Sequence, residues 1–387
     1  MRTIIKTCKV KLVILEDKKQ DILETFRQYN YALNFAIEQA WKPERKIINK
    51  FTLHKLTYYP LREKTSLPAN FICAARNKAC DAIRGNIIKW HNHKKASKPV
   101  FKSFSAIQFD KRTLTIKNRN CTFSTVNGRV KANYFLGNYQ KQILDDPSYE
   151  FRTATMTYKN GNFFLNMTIV KPAPIKKPET VMGIDLGVKN IAVTSTGKFF
   201  SSGLLNDSRR QFRDKRAKLQ SKGTRSCKKV LQRISGRENR FSDWILHNIS
   251  HQIINEAVSH KVEVIVFEKL TDIKENVKQW RKEERAKVNL WAFSKLQQFV
   301  QYKALEVGID TIFVEAKYTS QRCSKCGHTE SSNRSGFSFK CKHCGYSINS
   351  DYNASKNIAF QVLLDKNPDW TEPPSKLALK TKHLAYV

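Results

Sequence analysis

Two Cys-x-x-Cys pairs, Cys323 with Cys326 and Cys341 with Cys344, constrain this 387-residue chain more tightly than any other feature. Two such knuckles a short interval apart can close four thiolates tetrahedrally around one zinc ion, Zn²⁺. Gly327 and Gly345 follow the pairs at the same offset, where each knuckle must turn sharply. A redox thiol pair is the ordinary alternative for a single Cys-x-x-Cys; two matched pairs favour the metal. Four protein ligands leave no open coordination position, so the expected role is structural. His328 and His343 lie inside the segment and are not needed as ligands. Cys8, Cys73, Cys80, Cys121 and Cys227 stand alone and read as buried or incidental thiols of a reducing compartment.

Charge narrows the partner. The chain carries 70 Lys and Arg against 33 Asp and Glu, a net +37. Such a surface repels itself unless it meets a polyanion. Nucleic acid is the first candidate and an anionic membrane the second. No apolar run approaches a membrane span, so no membrane partner is expected. The opening MRTIIKTCKVKLVILEDKK alternates and is charged, unlike a signal peptide, which points to the cytoplasm. Hydrophobic residues make up 40%, near the globular norm, which argues against global disorder.

Only Gly85 precedes Gly128, although the chain holds 14 glycines, and a glycine-poor stretch suits helices. Ile22, Phe26, Leu33, Ile37 and Ala40 recur at helical spacing, as do Ile72, Ala75, Ala79, Ile83, Ile87 and Trp90. A strand-like segment, Ile4 to Leu15, comes before them. After Pro99 the pattern alternates with period two. Asn127-Gly128 and Asn160-Gly161 each sit between strand-like runs and predict tight hairpin turns. Residues 100–172 therefore read as a small antiparallel barrel or sandwich, which the opening strand could join. A Pro- and Lys-rich linker follows, from Lys171 to Glu179. Beyond it come three short strands, helices around 204–235 and 240–260, a buried strand VEVIVFE, another helix and the strand TIFVEA. The cysteine segment interrupts this α/β order, which resumes in a helix from about Asp351. Tyr29, Tyr31, Phe35, Trp41 and Trp90 could stack on bases, but at helical spacing they are more often core.

Three carboxylates stand at element ends. Asp185 closes a strand in GIDLGVKNIAVTS, Glu268 closes one in VEVIVFEKL, and Asp351 opens a helix in NSDYNASKNIA. Each alone is an ordinary turn or cap residue. Converging on one sheet edge, they would suit two Mg²⁺ ions, which take hard oxygen ligands and complete their shell with water and phosphate. Between the first two lies a basic stretch. Arg209, Arg210, Arg213, Arg216, Lys228 and Lys229 belong to a run that only Asp214 and Glu238 oppose. A solvated helix usually mixes its signs, so a phosphate-tracking face is favoured over biased composition. Lys274 to Lys287 is a second basic run, diluted by Glu275, Glu283 and Glu284.

GIDLGVKNIAVTS, VIVFEKL, TSQRCSKCG, FKCKHCG and SDYNASKNIA, in that order, resemble the conserved blocks of TnpB, the transposon-encoded RNA-guided nucleases related to the ancestors of type V CRISPR effectors. The resemblance spans roughly residues 180–362. It implies a multidomain α+β protein: an N-terminal β-barrel (wedge) with a helical insertion, then an RNase H-like (RuvC) α/β domain with an inserted zinc ribbon. The wedge would take residues 1–16 and 96–172 and the helical recognition insertion 17–95. Residues 173–179 would be the linker, 180–315 and 346–365 the nuclease domain, 316–345 the zinc ribbon, and 366–387 a disordered basic tail. The resemblance implies catalytic and Mg²⁺-binding roles for Asp185, Glu268 and Asp351, and a lid at the second basic run. Its partners would be a guide RNA and a target double-stranded DNA, bound by a monomeric ribonucleoprotein in the cytoplasm of a bacterial or archaeal cell. One departure stands out. The family commonly carries an acidic residue and an Arg just before the third carboxylate, where this chain has Asn349 and Ser350. The alternative is a guide-dependent DNA-binding repressor with little or no cleavage, but such derivatives usually lose a carboxylate, and here all three remain. An unguided junction-cleaving nuclease would not need the helical insertion or so basic a surface.

Overall fold

The computed structural model describes residues 3–42, 46–117, 119–173, 180–269, 290–315 and 318–364. The chain forms two compact units, residues 3–172 and residues 173 onward.

The first unit opens with strand β1 (Thr3–Val13), followed by three helices. Helix α1 (Glu16–Ala40) starts with Glu16 and Asp17, where the helix dipole favours negative charge. It buries the face formed by Ile22, Phe26, Leu33, Ile37 and Ala40. Helix α2 (Lys50–Lys64) is capped by Asn49, whose Oδ1 accepts from the amides of Phe51 and Thr52 at 2.8 and 3.1 Å. Helix α3 (Ala69–His91) buries Ile72, Ala75, Ala79 and Ile83. Tyr29 is fully buried and offers no open stacking face, whereas Trp90 stays 37% exposed beside Trp41, with ring centroids 5.3 Å apart.

The remaining strands are β2 (Ile107–Phe109), β3 (Leu114–Lys117), β4 (Asn120–Thr125), β5 (Gly128–Tyr134), β6 (Glu150–Lys159) and β7 (Asn162–Pro172), with a short helix α4 (Asn138–Leu144) before β6. They join β1 in one seven-stranded antiparallel sheet, ordered β2-β6-β7-β1-β5-β4-β3. The two edge strands, β2 and β3, are neighbours in sequence. They are joined by a turn in which the amides of Thr113 and Leu114 donate to the Asp110 carbonyl. The sheet therefore curls until its edges nearly meet. Its inner face shares one core with the three helices, including Phe26, Phe71, Phe109 and Phe123. Each such side chain contributes about 1.5–3 kcal/mol on burial.

The two hairpins differ. Asn160 and Gly161 form the expected turn, with φ of 50° and 76° between paired Lys159 and Asn162. At the other, the loop is Val126 and Asn127, and the positive φ falls on Gly128 at 100°. The expected position is one residue off because α1 holds this turn. Thr25 Oγ1 accepts from the Val126 amide at 3.1 Å, and Asn127 Nδ2 donates to Asp21 at 2.7 Å.

The second unit is built on β8 (Val181–Asp185), β9 (Asn190–Thr194), β10 (Phe199–Ser201), β11 (Val264–Glu268) and β12 (Asp310–Val314). Their order is β10-β9-β8-β11-β12, with β8, β11 and β12 parallel, β9 antiparallel to β8, and β10 antiparallel to β9. Between β10 and β11 run α5 (Gly203–Lys222) and α6 (Arg225–Ser259). The break expected near residues 235–240 lies instead at Gly223, in the left-handed conformation with φ 65°, and at Thr224, whose side chain caps α6. Gly236 sits inside α6 without ending it. Helix α7 (Leu290–Glu306) precedes β12. Then β13 (Arg334–Ser335), β14 (Ser338–Lys340) and β15 (Ser347–Asn349) form a small sheet that leads directly into α8 (Ser350–Leu364). Residues 174–179 of the linker, the basic run Lys274 to Lys287 and the tail 366–387 lie outside the described residues. No helix among the described residues is long and apolar enough to cross a membrane.

Candidate active site

β8 and β11 pair in parallel from Val181↔Val264 to Ile184↔Phe267, so Asp185 and Glu268 stand at the same end of adjacent strands. Asp351 arrives from α8, which lies across β8. A Cβ on Gly183 would sit 2.1 Å from the Ser355 carbonyl oxygen and 2.5 Å from the Ala359 amide nitrogen. Only glycine lets the helix backbone approach this closely, and that approach sets the first turn of α8 beside the end of β8.

Each carboxylate is held by neighbours. Asn349 Oδ1 caps α8, accepting from the amides of Asp351 and Tyr352 at 3.0 and 3.1 Å. Asp351 is buried; its Oδ2 accepts from Asn190 Nδ2 at 3.4 Å, and Arg334 Nη2 stands 3.5 Å from its Oδ1. Thr319 Oγ1 donates to Glu268 Oε1, and Gln297 Nε2 donates to the Glu268 carbonyl at 2.9 Å. Burial pushes the Asp185 carboxyl well above its usual range, and the charges of Glu268 and Asp351 push it further, against Arg334 and the Leu186 amide. Burial also raises Glu268, partly offset by Thr319 and Arg334. A buried carboxylate raised by two neighbouring ones is short of positive charge, and such a set of oxygen donors fits a hard divalent cation. Arg334, Asn190, Thr319 and Gln297 are not singled out by sequence reasoning. Thr319 lies inside the TSQRCSKCG block and Asn190 inside GIDLGVKNIAVTS, whereas nothing local marks Arg334 or Gln297.

The four cysteine sulfurs lie within 4.8 Å of one another and could hold a zinc ion. Cys323 to Cys344 is 3.8 Å and Cys326 to Cys341 is 3.6 Å. The edge of a tetrahedron with 2.3 Å zinc–sulfur bonds is about 3.8 Å, so the donors fit the ion. Both knuckles turn alike. Gly327 and Gly345 have φ of 80° and 73°, and their amides donate to the carbonyls of Cys323 and Cys341. The first knuckle is tied to α8: the Ser324 amide donates to Asn353 Oδ1 at 3.0 Å, and Asn357 Nδ2 donates to the Thr319 and Arg322 carbonyls.

The basic helices are partly neutralised from within. Arg210 pairs with Asp207, Arg213 with Asp214, and the half-buried Arg216 with Glu238. Arg209 is half-buried, and burial lowers its pKa. Lys228 and Lys229 stand exposed on the first turn of α6. The structure thus spreads these six residues over two helices rather than gathering them at one point.

A family model described as a probable transposase matches residues 164–274, and one described as a Cas12f1-like TNB domain matches residues 293–358. A CRISPR-associated endodeoxyribonuclease, Cas12f1, of Syntrophomonas palmitatica is 24% identical over 389 residues, 87% of this chain and 74% of the relative. Among solved structures, a Cas12f1–sgRNA–target DNA complex matches with a TM-score of 0.62 and 17% identity, over 92% of this chain and 99% of that one, a likeness of multidomain fold. A TnpB-like protein of Methanocaldococcus jannaschii is 31% identical over 252 residues, 59% of this chain and 85% of that protein. Matched over so much of that relative, and carrying both family segments in order, the chain belongs to the TnpB family.

Proposed function

We propose that the chain is a transposon-encoded RNA-guided DNA endonuclease that cuts target double-stranded DNA beside a short flanking motif. The observation that carries this reading is the gathering of Asp185, Glu268 and Asp351 with Arg334 at one edge of the sheet. The strand order β10-β9-β8-β11-β12, with α8 across β8, supports an RNase H-like (RuvC) domain, and the cysteine segment supports an inserted zinc ribbon. The relatives' names add support: one is an endodeoxyribonuclease, and the structural neighbour is a complex with sgRNA and target DNA.

In this reading Asp185, Glu268 and Asp351 would hold two Mg²⁺ ions, whose chemistry would be Lewis-acid activation of a water nucleophile and stabilisation of charge on the leaving 3′ oxygen. Asn190 holds the Asp351 carboxylate, the Asn349 cap fixes the Asp351 backbone amide, and Thr319 fixes the Glu268 carboxylate. Arg334 offers a planar pair of donors to the scissile phosphate. The ribbon carries Arg334, so a zinc held by Cys323, Cys326, Cys341 and Cys344 would keep that segment folded with its guanidinium in reach. Exposed cations such as Lys228 and Lys229 hold phosphates of a guide–target duplex whose sequence is read by base pairing.

The test is direct. The chain, purified with RNA expressed from its own genomic flank, is mixed with a matched duplex and Mg²⁺. Wild type should cut, while Asp185→Ala, Glu268→Ala and Asp351→Ala should each bind the target without cutting. A wild type that binds guide and target but never cuts would make the repressor the better reading.

A further inference from the structure

Helices α5 and α6 enclose a groove of about 600 Å³ whose lining includes Leu204, Gln211, Phe212, Arg237, Arg240 and Phe241. Its apolar surface is open. Leu204 is 69% exposed and Phe241 40%, and the adjoining Trp244 is 56% exposed. The Phe241 and Trp244 rings, one turn apart on α6, stack at 5.8 Å and 22°. Arg237 and Arg240 lie on the preceding turns, exposed, with no ion pair or hydrogen-bond partner among the described residues. Asp207, the acidic lining residue, is engaged by Arg210 at 2.6 Å. An aromatic floor beside free guanidinium groups is the chemistry that takes a nucleobase face and its phosphates. A duplex hides its base faces, so the fitting ligand is single-stranded.

Both walls of the groove are tied to the loops that follow the carboxylates. On α5, Asn206 Nδ2 donates to the Val188 carbonyl at 3.2 Å, and Ser202, just before the helix, donates to Lys189 at 2.8 Å, three and four residues beyond Asp185. On α6, Asp243 pairs with Lys295 of α7, and Gln297 on the same helix donates to the Glu268 carbonyl. The groove therefore lies at the carboxylate end of the sheet. We infer that it seats an unpaired base of the DNA strand that reaches the carboxylates, stacked on Phe241 and Trp244 with neighbouring phosphates on Arg237 and Arg240. The choice of DNA rests on the nuclease reading; the stacking chemistry does not.

The test needs no cleavage. Fluorescence anisotropy of the full-length chain is measured with labelled oligo(dT) of about twelve nucleotides, long enough to span one stacking site and its flanks. Because the aromatics are exposed, Phe241→Ala/Trp244→Ala should melt like wild type. It should bind oligo(dT) roughly tenfold more weakly, with Phe241→Tyr/Trp244→Phe restoring most of the affinity. Binding of the same sequence as a duplex should not change. Unchanged oligo(dT) affinity, or an equal loss on duplex, overturns the inference, and so does a loss confined to oligo(U). Aromatic-dependent oligo(dT) binding by a chain that cuts no DNA would keep the groove and count against the nuclease.

Discussion

Arg334 Nη2 stands 3.5 Å from Asp351 Oδ1, so a guanidinium from the cysteine-bearing segment reaches the first turn of α8. The resemblance to TnpB implies an Arg immediately before this carboxylate, where this chain has Ser350. Ser350 instead anchors the segment that delivers Arg334: its amide donates to the Phe337 carbonyl and its hydroxyl to the Gly336 carbonyl, both at 2.9 Å. The cation absent from the local sequence is supplied through space.

Arg334→Ala should slow cleavage about a hundredfold, the usual loss when one donor to transition-state charge is removed. Filter binding of guide and target should be unchanged. Arg334→Lys should recover only part of the rate, because an ammonium cannot pair two oxygens in one plane. A wild-type rate in Arg334→Ala would remove this residue from the site.

Gly183→Ala should separate α8 from β8, since the added carbon meets backbone atoms that cannot rotate away. Overpacking of this kind costs about 1–3 kcal/mol, and the shift should also move Asp351 and abolish cutting. Gly85→Ala is the contrast. It lies in α3 with nothing within 4 Å of an added Cβ, and it should stabilise the chain by about 0.5–1 kcal/mol. Chemical denaturation of both variants checks the pair.

Asp185→Asn should raise the melting temperature in metal-free buffer, because it removes one of three desolvated carboxylates that repel each other. Added Mg²⁺ should then stabilise wild type more than the variant, since only wild type keeps the full donor set. Equal Mg²⁺ responses in thermal melts would show that the ion does not bind here.

Elemental analysis should find about one zinc per chain. Stripping it, or Cys341→Ser, should release the segment that carries Arg334 and Thr319, so cleavage is lost while guide RNA still binds. Zinc-free protein that cuts normally would end the structural-zinc reading.

Salt dependence should separate the basic residues. Replacing Lys228 and Lys229 with Gln should flatten the slope of log affinity against log salt by about two, if each contacts one phosphate. Arg216→Ala should instead lower the melting temperature, because Arg216 is spent on Glu238 across the two helices.

Periodic burial makes much of the fold legible. The stripe from Ile22 to Ala40 becomes the buried face of α1 because one helix face meets one core. Asn160 and Gly161 mark their turn because few other residues accept positive φ at both positions. Local signals fail where distant contacts decide. The Val126 turn is set by Thr25 and Asp21, more than a hundred residues away in sequence. Gly236 resembles a helix stop, yet an exposed helix tolerates it at a cost near 1 kcal/mol. In the site, strand and helix ends make Asp185, Glu268 and Asp351 visible as candidates. Asn190 sits in the same block as Asp185, but Arg334 and Gln297 are ordinary polar residues in the sequence until folding brings them to those carboxylates.

β1 pairs with β7 from Thr3↔Pro172 to Lys11↔Phe164, a partner made roughly 150 residues later. At about 5–20 residues per second of synthesis, β1 waits on the order of ten seconds beside the ribosome with its backbone groups unclaimed. An unpaired strand is a template for another copy of itself on a neighbouring nascent chain. Lys6, Lys9 and Lys11 place positive charge along that strand, so two copies repel before they can zip together. Positive charge along a late-paired strand therefore disfavours pairing between incomplete chains, a consequence separate from any contact with nucleic acid.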